Sequence, residues 1–323
     1  MPRLLACSCV VLLAAATARA EVEKGTVRYR PAGDEKNIPE RYRLEARSFD
    51  YQLAFRHDLP GCDVSLYDLR FPTALPSKHV ENNTVYAEYY RPRGKGPFPC
   101  VIVLDITGGN QLISRVFATH LAQRGVAGLF VQMAYYGPRR PPNSKLKLLS
   151  TDINHTLTAI RQTVLDLRFA TAWMASRAEI DSNRLGILGT SLGSFMGSLT
   201  AEMEPRLKRV GVLLGGGGLV DAYYDHPQAR PYRLVYEALG GTKAKVARVL
   251  APVDPLTYAA NLRDRKVLIL AGKRDEIVPP KMAEALWKES GKQKIVWFDC
   301  THYGAVVYLV EGLDHIVKHF RAD

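Results

Sequence analysis

Arg184-Leu185-Gly186-Ile187-Leu188-Gly189-Thr190-Ser191-Leu192-Gly193 is the stretch whose reading decides the fold. Its first half is a short apolar run bounded by a charge, which predicts a buried strand. Ser194-Phe195-Met196-Gly197-Ser198-Leu199 follows with helical spacing and small residues on one face. Between the two, Gly189-x-Ser191-x-Gly193 has the form of a nucleophile elbow, where flanking glycines let strand and helix approach without Cβ clashes. The helix behind the serine offers N–H groups and a positive dipole end to a developing oxyanion. Read for structure alone, the run is a tight strand-to-helix turn whose serine caps the helix.

Outward from this stretch the chain alternates, from Phe98 onward, between short apolar strands and helical segments. Strands are predicted at 100–104, 126–133, 184–188, 209–214, 266–271 and 294–298. Helices are predicted at 111–124, 151–176, 192–203, 281–290 and 305–320. Near-continuous apolar strands between helices imply a mostly parallel, doubly wound α/β sheet with helices on both faces. Residues 21–97 are rich in Arg, Tyr and Pro. Within them Asp63-Val-Ser-Leu-Tyr-Asp-Leu-Arg70 and Thr84-Val-Tyr-Ala-Glu-Tyr-Tyr90 read as strands. They are expected to form an N-terminal arm and antiparallel edge strands ahead of a catalytic domain at 98–323. The interval 215–265 is longer than a crossover needs, and loops after strand ends build the crevice of such sheets. It is therefore a candidate cap. Its four glycines, Gly215-Gly216-Gly217-Gly218, are not a phosphate loop, because no Gly-Lys-Ser/Thr follows them.

Composition narrows the class. Arg3, an apolar stretch at 4–16 and the small-x-small run Ala18-Arg19-Ala20 read as an export leader cleaved after Ala20, with a secreted or periplasmic product. That apolar stretch is too short for a membrane span. The formal net charge is +12, but the basic residues are scattered rather than aligned along one helix. A solvated basic surface follows, and export argues against a nucleic-acid partner. Of five cysteines, Cys62, Cys100 and Cys300 remain after the leader. At most one bridge can form, with Cys62–Cys100 the candidate pair. No Cys/His cluster points to a metal, and no cofactor is implied. Asn82-Asn83-Thr84 and Asn154-His155-Thr156 are glycosylation sequons only in a eukaryotic host.

A neutral serine hydroxyl needs an adjacent base, itself oriented by a third group. Strand 266–271 runs into Gly272-Lys-Arg-Asp275-Glu276-Ile-Val-Pro279, and strand 294–298 into Asp299-Cys-Thr-His302. Asp275 and His302 thus fall on loops at neighbouring strand ends. For the base, His315 and His319 compete, but as a helical i, i+4 pair they read as surface or packing residues. For the acid, Glu276 and Asp221 compete. Asp299 reads as a loop residue, and Asp181 and Arg184 as residues that fix the entry to the elbow strand.

In the order Ser191, Asp275, His302, the chain resembles the α/β-hydrolase superfamily over about residues 98–320. The resemblance rests on Asp181-Ser-Asn-Arg184 leading into the elbow, on Gly272-Lys-Arg-Asp275-Glu-Ile-Val-Pro279, and on His302. It is closest to the dienelactone-hydrolase-like and acyl-peptidase-like branches and implies a serine esterase or peptidase. Dienelactone hydrolases carry a cysteine nucleophile and dehalogenases an aspartate, so Ser191 argues against both activities. The family's oxyanion hole would take one N–H from Leu192 and another from the loop Leu104-Asp105-Ile106-Thr107-Gly108-Gly109-Asn110. There the usual His-Gly pair is missing, and Thr107 or Ile106 is the donor by alignment of the glycines. Asp105 reads as a carboxylate bonding neighbouring backbone N–H groups.

Substrate contacts are expected from Tyr135 and Tyr136, from Arg139 or Arg140 as a carboxylate anchor, and from Tyr223 and Tyr224 in the candidate cap. The alternative for the 135–142 stretch is a rigid, solvated Pro/Arg loop. The reading that results is an exported serine carboxylic-ester hydrolase forming an acyl-enzyme with a small or polymer-linked ester. One rival is a peptidase of the same fold, for which 21–97 is too short to form the usual gating domain. The other is an idle binding protein that kept the fold.

Overall fold

Strands buried on both faces alternate with helices from Phe98 onward, and the half-buried strands before them extend the same sheet. The computed structural model describes residues 22–108, 111–225 and 230–322; the expected leader lies outside them. The chain begins with β1 (Val22–Tyr29), β2 (Arg47–Asp58), β3 (Val64–Pro72) and β4 (Thr84–Pro92). It continues through β5 (Phe98–Leu104), α1 (Leu112–Ala122), β6 (Ala127–Val131), α2 (Ile153–Ala175), β7 (Ile180–Thr190), α3 (Leu192–Met203) and β8 (Leu207–Leu213). Then come α4 (Leu219–Tyr223), α5 (Arg230–Ala238), α6 (Lys243–Leu250), β9 (Lys266–Gly272), α7 (Pro280–Glu289), β10 (Lys294–Phe298) and α8 (Leu309–Arg321).

The strands form one sheet in the order β1-β2-β3-β4-β6-β5-β7-β8-β9-β10. Pairing is antiparallel from β1 through the β4–β6 contact and parallel from β6 to β10. The strand order reverses around β5, so the crevice at the carboxyl ends of β5 and β7 is where an open α/β sheet presents its site. Two apolar layers sandwich the sheet. One joins it to α2, α3 and α7, and the other to α1 and α8. Among the described residues no helix is long and apolar enough to cross a membrane.

The arm holds more strand than its composition suggests. In β2, Phe49 and Leu53 are buried while Arg47, Ser48 and Asp50 are exposed, a one-sided pattern diluted by charge. The arm is also tied into the core. Arg168 of α2 has no exposed side chain; it donates to Tyr42 O at 2.6 Å and pairs with Glu35 and with buried Glu204. Arg168→Ala leaves Glu204 buried, with Arg206 as a remaining ion-pair partner. It is expected to lower unfolding stability by about 3–5 kcal/mol, read as a fall in the midpoint of denaturant unfolding.

The structure bears on two points that the sequence left open. Cys62, Cys100 and Cys300 are all free thiols. Cys100 is buried in the layer under α2, whereas Cys62 packs against the layer on the opposite face, so the sheet separates the pair. Asn82 of the first sequon is fully buried, donating to Gln162 Oε1 at 2.7 Å and accepting from Tyr135 N–H, which closes it to a glycan.

Candidate active site

Backbone geometry places the serine. Ser191 has φ 51° and ψ −118°, a strained region for a residue with a side chain, and its N–H bonds Leu213 O across to β8 at 2.8 Å. The glycines on either side are steric necessities. A Cβ on Gly189 would stand 2.0 Å from Gly193 O, and one on Gly193 would stand 2.6 Å from the carbonyl oxygens of Leu104 and Asp105. The elbow is therefore wedged between β5 and α3 with no room for larger residues.

Asp275 and His302 reach the same point from the ends of β9 and β10. Asp275 Oδ2 lies 2.7 Å from His302 Nδ1, and His302 Nε2 lies 3.1 Å from Ser191 Oγ. The other Asp275 oxygen accepts the N–H groups of Ile277 and Val278 at 2.9 and 2.8 Å. An ionised carboxylate only accepts, so Nδ1 carries the proton and Nε2 is left to accept from the serine hydroxyl. All three side chains are less than 10% exposed. The arrangement is able to draw the proton from Ser191 as its oxygen attacks an electrophile.

The competing groups are engaged elsewhere. Asp221 is exposed and pairs with Lys243, and Asp299 pairs with Arg274. Glu276 accepts the backbone N–H of His302 at 3.3 Å and so helps to hold that loop. His315 sits beside Glu311 on α8.

Leu192 is the first residue of α3, where a helix N–H has no acceptor within the helix. Ile106 and Thr107 line a cavity with Ser191. Asp105 is buried, and burial pushes its carboxyl above the usual carboxylate range, opposed by hydrogen bonds from Ser114 Oγ and from the Ile106 and Gln111 N–H groups.

The cavity beside Ser191 has a volume of about 500 Å³. Its walls are Ile113 and Phe117 of α1, the strand ends at Leu213, Leu270 and Phe298, and the segment from Tyr303 to Ile316. None of the expected substrate contacts is among the lining residues. Arg139 is fully buried and pairs with Asp166 at 2.6 Å, also donating to Gln132 O and Asn82 O, so it is a structural cation rather than a carboxylate anchor. Tyr135 is buried with its ring against His79 and His155. Tyr136 is buried too, its hydroxyl accepting Gly108 N–H at 3.4 Å beneath the 105–108 loop. Tyr223 donates to Ile277 O at 2.7 Å, and Tyr224 pairs with Glu237. In the interval 215–265, α4, α5 and α6 gather beside the end of β8, pinned by Asp254, which accepts from Gly218, Leu219 and Leu256 N–H. The described residues of that interval contribute nothing to the cavity wall.

Reasoning from the sequence missed the wall that follows His302. The signal was present, since Ala305, Leu309, Gly312 and Ile316 recur at i, i+4, i+7 and i+11 soon after the histidine. Among the described residues no group of three or more His, Cys, Asp or Glu side chains is placed to hold a metal.

The family model described as "Alpha/beta hydrolase domain containing 18" matches residues 51–214, just over half of the chain. The model of the prolyl oligopeptidase family matches residues 158–301. Esterase YjfP of Escherichia coli (strain K12) is 22% identical over 234 residues, covering 70% of this chain and 89% of its own length. Esterase EstD of Thermotoga maritima is 25% identical over 281 residues, covering 73% of this chain and 62% of its own, so this chain spans less than two thirds of that relative. An acetyl xylan esterase from Paenibacillus sp. R4 shares the fold with a TM-score of 0.65 at 19% identity, over 83% of this chain and 88% of that one.

Proposed function

Because the chain belongs to the alpha/beta hydrolase domain containing 18 family, we propose that it is a serine carboxylic-ester hydrolase whose nucleophile, base and acid are Ser191, His302 and Asp275. The observation that carries this is the hydrogen-bonded series Asp275–His302–Ser191, at 2.7 and 3.1 Å, opening on a cavity. Two relatives with esterase names point the same way.

In this mechanism Ser191 Oγ bonds to the ester carbonyl carbon as its proton passes to His302 Nε2. Asp275 holds the imidazolium through Nδ1–H. The oxyanion accepts N–H groups from Leu192 and Thr107, with Asp105 and the Tyr136 hydroxyl keeping the 105–108 loop in place. The bond to the alcohol oxygen breaks, and the alcohol leaves with the proton from Nε2. Water, deprotonated by the same nitrogen, then attacks the acyl-enzyme, releasing the acid and restoring the serine. No cofactor is needed. Export through the leader at 1–20 belongs to the same proposal, as does a single catalytic domain from residue 98.

The test is hydrolysis of nitrophenyl esters by the purified protein, together with its inactivation by a fluorophosphonate. Turnover of esters that stops with phosphonylation is expected. The match to the prolyl oligopeptidase family keeps a peptidase as the second reading, and cleavage of peptide nitroanilides without ester turnover would favour it.

A further inference from the structure

The cavity beside Ser191 is long, apolar and closed at its inner end. On one side α8 contributes Leu309, Gly312 and Ile316, a stripe at i, i+3 and i+7 that runs about 10 Å along the helix. Opposite it stand Ile113 and Phe117, one turn apart on α1, and between them lie Leu213, Leu270 and Phe298. Phe117, Leu270 and Ile316 are all less than 5% exposed, so the inner end lies within the apolar layer beneath α1 and α8. Apart from the residues of the reaction centre, the polar groups on the wall are hydroxyls of Thr and Tyr. Of the lining residues, Tyr303 and Val306 are 73% and 65% exposed, so the approach is apolar as well. Nothing in this wall offers charge or paired hydrogen bonds to a sugar or a peptide.

We propose that the cavity receives the acyl chain of the substrate, and that the protein prefers esters of medium-chain fatty acids, of about eight carbons, over acetyl esters. The inference rests on the reading of Ser191 as an esterase nucleophile. An extended chain advances about 1.2 Å per bond, so a stripe of about 10 Å holds about eight carbons. The acyl side is assigned from the order of events. The alcohol must leave before water enters, and a group lodged in a closed end would be trapped behind the acyl-enzyme. The part that stays bonded to Ser191 therefore fits the blind end. Each methylene moved from water into such a wall raises kcat/KM by at most about fourfold.

Gly312 provides the test. A Cβ there would lie 3.8 Å from Leu270 Cδ1, an ordinary contact, so a leucine starts without a clash and its remaining carbons enter the cavity. The measurement is kcat/KM for nitrophenyl acetate, butyrate, octanoate and laurate, and for ethyl acetate and octyl acetate. The unaltered protein is expected to favour octanoate over acetate at least tenfold, with no such gain for octyl acetate over ethyl acetate. In Gly312→Leu the octanoate-to-acetate ratio is expected to fall at least tenfold. Should that variant fail to fold, Leu309→Phe narrows the same wall nearer its mouth and is expected to move the ratio in the same direction. Highest activity on acetate, a gain that follows the alcohol chain, or a ratio unmoved by a folded variant would each overturn the inference. Phosphonate labelling separates the two levels. A protein labelled at Ser191 that favours acetate defeats only the acyl-chain inference, whereas one that neither labels nor hydrolyses any ester defeats the esterase reading itself.

Discussion

Ser191→Ala is expected to reduce ester turnover by about 10⁴-fold or more while leaving the protein folded. The substitution removes one oxygen. The elbow itself depends on the Ser191 N–H bond to Leu213 O and on the fit of Gly189 and Gly193 against their neighbours, all of which alanine keeps. Alanine at φ 51° carries the same backbone strain as serine, so the cost in stability is small. KM is expected to change far less than kcat, because the cavity wall is intact and only the bond-forming atom is gone. The check is steady-state hydrolysis alongside a thermal melt. A folded variant with a tenth of the parental rate would mean that another group attacks the ester.

His302→Ala is expected to come close to the same loss. With no acceptor 3.1 Å from its hydroxyl, Ser191 becomes an ordinary alcohol, and both acylation and deacylation lose their base. Fluorophosphonate labelling should slow in parallel, since the same proton must leave. Asp275 is not stranded by the change, because its second oxygen keeps the N–H groups of Ile277 and Val278. The fold should therefore survive. His315→Ala is expected to stay within about twofold of the parent, as that ring sits beside Glu311 on α8 and lines no part of the cavity. A large loss in His315→Ala with a small one in His302→Ala would reverse the assignment.

The parallel half of the sheet was legible because its strands are buried on both faces and carry unbroken apolar runs. Ile187, Val212 and Ile269 each sit in such a run, and each is fully buried. The candidate site was legible for a different reason: Ser191, Asp275 and His302 each follow a recognisable strand end, strand ends converge in this architecture, and the three side chains lie within hydrogen-bond reach of one another. Strands β1 and β2 were harder to read, because only one face is buried and charged residues occupy the other. The wall of the cavity was misjudged on physical grounds. Arg139 looks like an exposed anchor in a Pro/Arg-rich stretch, yet buried Asp166, distant in sequence, draws it into the core. No local pattern announces that pairing. Tyr223 and Tyr224 stand on the interval that looked too long for a crossover; Asp254 holds its start, and Tyr223 bonds Ile277 O behind the cavity wall without lining the cavity itself. The wall comes instead from α1 and from the segment after His302, whose apolar residues read as an ordinary packing face until the cavity beside them is seen.

Mass mapping of the phosphonylated protein puts the nucleophile itself to the test. One equivalent of a fluorophosphonate should react per chain and abolish ester hydrolysis in proportion. Trypsin should then release the modified peptide 185–206, which holds Ser191, Ser194 and Ser198. Fragmentation is expected to place the adduct on Ser191 alone, since Ser194 Oγ already donates to Ser191 O at 2.6 Å and only Ser191 faces His302. An adduct on Ser194, on Ser198 or outside this peptide, or full ester turnover in a protein that takes up no phosphonate, would contradict the assignment.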